Sequence, residues 1–188
     1  MKTKTSNRPI IYSPCTFVCH GLCEVTLASH IRGQLAKPIM DYSANNGKTS
    51  IQVHHLVPYL DSLKDFKSLK NYLVANGVDK NDVDFFLSHH WIFPIMDLDD
   101  CSDEEIERYQ KGALFKDRWY APYIKPLYFY PNLDSATNDL GFPISSRHKP
   151  EQYDILLTRD SKRFYSALAG VDPHKSNFKE AIDILGLL

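Results

Sequence analysis

No stretch of the 188-residue chain approaches the roughly 18 to 20 consecutive apolar residues that a membrane-spanning helix needs. Nor does Met1-Lys2-Thr3-Lys4-Thr5-Ser6 lead into a long apolar segment, so neither a membrane partner nor a signal peptide is expected. The chain also lacks an excess of charge of one sign. Its 22 Lys and Arg stand against 23 Asp and Glu, a net −1, which excludes a protein that coats nucleic acid by bulk electrostatics. Internal repeats and low-complexity tracts are missing too, which excludes a solenoid or a linker-rich array. What is plentiful is apolar and aromatic surface. Hydrophobic residues make up 43% and aromatics 12%, including 11 Tyr and 10 Phe, enough for a single domain spanning 1–188 to bury a real core.

Charge is unevenly spread. Residues 1–53 carry six basic and two acidic side chains, residues 54–143 nine and fifteen, and residues 144–188 seven and six. The ends are therefore basic and the middle acidic, so a local basic groove remains compatible with the neutral total.

Cys15, Cys19 and Cys23 are spaced four apart, and Cys101 lies alone in an acidic stretch. Structural zinc sites use paired C-x2-4-C units, and no second pair follows. A zinc module that adds His20 stands against the alternative that these cysteines act as small buried hydrophobes beside Phe17, Val18 and Leu22. Without a secretory signal, reduced thiols are the default.

Helical periodicity is clear in several places. Leu63, Phe66, Leu69 and Leu73 recur at three and four and predict a helix over 61–76, closed by Gly77. Ser102-Asp103-Glu104-Glu105 has the pattern of a capping box. Pro150 and Glu151 can open a longer helix lined by Tyr153, Leu156, Leu157, Phe164 and Leu168 before Gly170, and a last helix fits 176–185. Strand signals are weaker. Ile51 and Val53 alternate with Gln52 and His54, and Leu127-Tyr128-Phe129-Tyr130 is a short aromatic run, a combination suited to a small antiparallel pair. Residues 25–27 can add a third strand.

The stretch with most chemical content is Val53-His54-His55-Leu56-Val57-Pro58. Metal-assisted phosphodiester hydrolysis needs a cation to stabilise charge and a neutral imidazole to activate water. Two adjacent histidines can divide those tasks if the chain bends there; alternatively, one hydrogen-bonds the core and the other is exposed. A second pair, His89-His90, has no motif to attach to and reads as a packed polar pair. Downstream, His148 enters the helix begun by Pro150, flanked by Arg147 and Lys149, whose charge and helix N-terminus favour a phosphate.

His54-His55-Leu56-Val57-Pro58, then Ala75-Asn76-Gly77-Val78-Asp79, then Gly141-Phe142-Pro143 and His148-Lys149-Pro150-Glu151-Gln152-Tyr153 together resemble the AHH group of HNH/endonuclease VII nucleases. The resemblance implies an α+β fold: a small antiparallel β-hairpin with a crossing helix around one metal (a ββα-metal core), elaborated by additional helices. It maps as an N-terminal elaboration over 1–49, a nuclease-like core over 50–170 with an insertion over 84–125, and a C-terminal helix over 171–188. By resemblance His55 is the general base, His54 and His148 are metal ligands, and Arg147 and Lys149 hold substrate phosphates. The cofactor is one divalent metal ion (Mg, Mn or Zn). The implied activity is a metal-dependent endonuclease hydrolysing DNA in preference to RNA. By the same resemblance it is cytoplasmic or delivered into a target cell as a bacterial toxin or effector, with a cognate immunity protein as partner. The alternative is a noncatalytic nuclease-like interaction protein that binds a basic partner through the acidic surface over 97–107. Ser145, where the family often has another histidine, favours that alternative.

Overall fold

The computed structural model describes residues 15–35, 39–63, 68–75 and 78–188. In chain order the elements are β1 (Cys15–Cys19), α1 (Leu22–Leu35), β2 (Met40–Tyr42), α2 (Val53–Ser62), α3 (Leu69–Ala75), α4 (Val83–Leu87), β3 (Trp91–Asp97), α5 (Asp103–Gln110), β4 (Leu127–Phe129), α6 (Leu133–Asp139), α7 (Lys149–Ala169) and α8 (Lys179–Leu185), with short 3-10 turns between some of them. The strands form one four-stranded sheet in the order β2-β1-β3-β4, and every pairing is parallel. No helix among the described residues is long and apolar enough to cross a membrane.

Parallel strands covered on both faces are built from nearly continuous apolar runs. β1 (Cys-Thr-Phe-Val-Cys) is buried at every position, and β3 is buried throughout its interior. Side chains alternate between two cores. Cys15, Phe17, Cys19, Phe93, Ile95, Leu127 and Phe129 face the layer that holds α1, α6, α7 and α8. Val18, Ile92, Met96 and Tyr128 face the layer of α2, α3, α4 and α5. The split follows from the strand order. The chain moves outward from β1 to β2 through α1, then crosses back over β1 to β3 through α2, α3 and α4. Reversing direction moves the connecting helices to the other face, as right-handed crossovers require.

The antiparallel hairpin with a crossing helix is not formed. Residues 51–54 do not make a strand; Val53 begins α2, whose buried Val53, Leu56 and Leu60 repeat at helical spacing. Four residues of alternation are a shorter signal than that stripe, and burial of the stripe decides the conformation. Residues 127–130 do supply a strand, but β4 runs parallel to β3. Residues 25–27 lie in α1. The segment read as an insertion over 84–125 contains β3, which is paired on both sides. The helix expected over 61–76 appears as the end of α2 and as α3, while Phe66, Asn76 and Gly77 lie outside the described residues, as does the N-terminal segment over 1–14. The capping box at Ser102 is present in both directions, and α7 begins and ends close to the expected positions.

Three local devices hold the sheet. Pro94 of β3 has no N–H, and the register places it level with Pro126 of the neighbouring chain segment. The buried Tyr109 hydroxyl ties the two segments together beside this point, sharing its proton between the Pro94 carbonyl at 3.0 Å and the Leu127 carbonyl at 2.9 Å. On the outer side of β4, the Asn177 amide accepts from the Tyr128 N–H at 3.1 Å and donates to the Pro126 carbonyl at 2.8 Å, imitating a strand. Gly47, at φ 79°, runs against the first turn of α1; a Cβ there would lie 3.0 Å from the Leu22 Cα. Only glycine meets both conditions without strain.

None of the four cysteines is in a disulfide. Cys15 and Cys19 are buried on one face of β1, where burial pushes their thiols well above the ordinary range. These are the inert thiols of a packed core.

Candidate functional site

In an open parallel sheet, a crevice forms at the carboxyl ends of adjacent strands whose connections leave in opposite directions. With the order β2-β1-β3-β4 that point lies between β1 and β3. The residues delivered to it are His20-Gly21-Leu22-Cys23-Glu24 after β1 and Asp97-Leu98-Asp99-Asp100 at the end of β3. Asp97 alternates with Phe93 and Ile95, so it lies on the α1 and α7 side of the sheet, the side that also carries Glu24.

Each group is held by backbone. His20 closes β1: its N–H donates to the Ile95 carbonyl at 3.0 Å and its carbonyl accepts from the Ile51 N–H at 2.8 Å. Its side chain is 9% exposed, and Nδ1 donates to the Ile51 carbonyl at 3.0 Å. Glu24 is 2% exposed and turns back over the start of α1, where Oε2 accepts from the Gly21 N–H at 2.8 Å. Asp97 Oδ1 accepts from the Leu133 N–H at 2.9 Å, at the start of α6. Asp99 accepts from the Asn132 amide at 3.0 Å, and Asp100 from the Gln52 amide at 3.1 Å. Asp134 accepts from the Tyr153 hydroxyl at 3.0 Å and pairs with Lys149 at the start of α7.

The electrostatics are unfavourable to ionised carboxylates. Burial raises Glu24, opposed chiefly by His20 and by backbone N–H groups. Burial also raises Asp97, with Glu24 next and smaller contributions from Asp99 and Asp134, against the lowering effect of the Leu133 N–H. Two carboxylates drawn out of water beside one another favour sharing a proton or receiving a cation. Cys23, on the same rim, is pushed up to about 12 by burial and by Glu24. A bland role is visible as well: Glu24 and Asp97 each cap a helix start, as acids commonly do.

The residues singled out by histidine pattern are elsewhere. His54 and His55 are exposed neighbours on α2, their ring centroids 4.1 Å apart. Their helix packs on one face of the sheet through Val53, Leu56 and Leu60, whereas α7, which His148 precedes, packs on the other through Tyr153 and Leu157. His148 is exposed at φ 52°, ψ 41°, and Arg147 beside it is exposed. Of that motif, Lys149 and Tyr153 reach Asp134 near the strand ends. Of the second pair, His90 is buried and bonded to the Thr16 hydroxyl at 3.1 Å, and His89 is exposed.

Pattern reading missed Glu24, weighed His20 only as an addition to a cysteine zinc module, and took Asp97 only as the start of an acidic surface. The signal was present in two places: an apolar run ending Ile95-Met96-Asp97-Leu98-Asp99-Asp100, and a second run ending Cys19-His20-Gly21 with an acid three residues on. Acids that directly follow a buried strand face its carboxyl end, whereas an acidic stretch judged by charge alone looks like solvated surface. Among the described residues, no three His, Cys, Asp or Glu side chains are arranged to enclose one ion. Comparisons with models of known families, with curated proteins and with solved structures gave no match to this chain.

Proposed function

We propose that the protein is a divalent-metal-dependent phosphodiester hydrolase acting on nucleic acid, with its reaction centre at the carboxyl ends of β1 and β3. The observation that carries this reading is the placement of Glu24 and Asp97 at the carboxyl ends of β1 and β3, both carboxyls raised first by burial and Asp97 further by the charge of Glu24. Mg²⁺ and similar hard ions are commonly bound by one or two carboxylates, with waters and substrate phosphate oxygens completing the shell, so a closed cage of three protein ligands is not required. Glu24 and Asp97 would hold the ion, with Asp99 beside them. The ion would supply charge stabilisation at the phosphate and a more acidic water. Lys149, at the N-terminus of α7, brings positive charge to the same rim, and the helix end adds its dipole. Exposed Arg147 lies beside it.

A noncatalytic interaction protein is the second reading, supported by the lack of a three-ligand group among the described residues. One experiment separates the two. Nicking of supercoiled plasmid is measured with Mg²⁺ or Mn²⁺, with chelator, and with Asp97→Asn. The hydrolase reading expects loss in both the chelator and the Asp97→Asn samples; nicking by Asp97→Asn at the wild-type rate would overturn it.

A further inference from the structure

We infer that the pocket between α7 and residues 141–144 is a binding site for a small organic anion, an apolar body that ends in a carboxylate or a phosphate. Its lining shares no residue with the reaction centre proposed above, so the two stand or fall separately. The pocket holds about 480 Å³, and sites for small molecules usually span roughly 300 to 1,000 Å³. Pro143, Ile144, Ile155 and Leu156 give it a mainly apolar lining. Ile155 is 51% exposed, a large apolar side chain that a ligand would take out of water. The wall facing α7 is held in place: the Phe142 N–H donates to the Thr137 carbonyl at 3.2 Å, and the Ser145 N–H to Gln152 Oε1 at 2.9 Å.

The charge of the pocket comes from α7. Arg159 and Arg163 line it one turn apart, against a single acid, Asp160. Neither arginine has a hydrogen bond or an ion pair with a described residue, whereas Arg32 and Arg118 are paired with Asp41 and Asp61. Arg163 is held over the Phe142 ring, 5.1 Å from its centre, a contact that orients the guanidinium without using its N–H groups. Like charges four residues apart on a helix repel one another. An oxyanion shared by the two would relieve that repulsion and accept N–H bonds from both. Arginine suits carboxylate and phosphate because its planar fork can donate two parallel bonds. The apolar lining beside the two cations calls for an apolar body attached to that head group.

The test is a titration of the isotope-labelled protein in chelator, followed through its amide NMR signals, with phenyl phosphate, phenylacetate, inorganic phosphate and benzyl alcohol as separate probes. At least one of the two aromatic anions is expected to bind with a Kd of roughly 0.1 to 1 mM, an ordinary strength for about ten heavy atoms, and to shift the amides of Gly141, Ile144 and Ile155. The tighter of the two identifies the head group. Inorganic phosphate, which lacks the apolar body, and benzyl alcohol, which lacks the charge, should each bind at least about tenfold more weakly. Arg159→Gln and Arg163→Gln should each weaken the aromatic anion about tenfold by removing charged donors, and Ile155→Asp should do the same by setting a like charge against it. All three side chains are exposed, so the melting temperature of each variant should stay within about 2 °C of the wild type. Asp97→Asn should leave this binding unaltered, whatever its effect on nicking. The proposal is overturned if neither aromatic anion binds the wild type up to about 10 mM, if none of the three variants weakens binding, if inorganic phosphate binds as tightly as phenyl phosphate, or if the shifts lie outside the pocket.

Discussion

Glu24 and Asp97 are far apart in the chain and are both held at the carboxyl-end rim of the sheet, out of water, whereas His54 and His55 are adjacent in the chain and exposed on a helix. The difference is one of solvation. A carboxylate beside a second carboxylate, with little water around it, has a raised proton affinity and a strong interaction with any cation that arrives. An exposed imidazole stays solvated, and it holds an ion firmly only where further ligands are fixed around it. Chemical potential in this fold therefore resides where the backbone holds polar groups out of water, at the ends of β1 and β3, not where reactive residue types are most concentrated in the sequence.

The sharpest way to break that comparison is to neutralise one member of the buried pair. Asp97→Asn should reduce metal-dependent plasmid nicking by roughly 10³-fold, since ion stabilisation of a phosphate transition state contributes several kcal/mol. Retention of more than a tenth of the wild-type rate would remove Asp97 from the site.

The next effect is in stability, with the opposite sign. Because Asp97 and Glu24 are raised in the folded protein, the folded state holds protons that the unfolded chain releases. Stability should then be greatest below the ordinary carboxylate range and decline as pH rises through it toward the raised folded values. In chelator, Asp97→Asn should flatten this slope and raise the melting temperature at neutral pH by about 2 to 4 °C, on the order of 1 kcal/mol for a chain of this size. A variant that melts lower than the wild type at both pH 5 and pH 8 would show the pair to be structural capping only.

Tyr109→Phe probes the support beneath the site. Losing the hydroxyl leaves the buried Pro94 and Leu127 carbonyls without it and should cost about 1 to 2 kcal/mol in denaturant unfolding, with nicking reduced through β3. An unchanged midpoint would mean the Tyr109 hydroxyl adds nothing to the joining of β3 and β4.

The smallest effect is expected for the double variant His54→Ala, His55→Ala: nicking within about twofold of wild type and stability within ~0.5 kcal/mol, as for exposed substitutions. A large loss of nicking would return the reaction to α2 and reverse the comparison.

Local features of the fold were legible in the sequence. Ser102 and Glu105 satisfy each other across one turn, and the stripe Tyr153, Leu157, Phe164 and Leu168 requires a helix whatever it packs against. The sheet was less legible. β1 and β3 are buried on both faces and so show no alternation, and β3 carries a proline, Pro94, a residue unusual inside a central strand. Residues 51–54 failed in the opposite way, showing alternation for four residues inside a longer helical pattern. The site was hidden for the same reason as the sheet: Asp97 acquires its meaning only once β3 is known to end there.

The Asn177 amide on the outer side of β4 has a consequence for assembly. A strand offered by another chain would need free N–H and C=O groups along that border, and those of Tyr128 and Pro126 are already taken, as is the Tyr130 N–H by the Lys175 carbonyl at 2.7 Å. The sheet is closed to templated growth on this side, so among the described residues the three-residue β2 is the border left for strand addition.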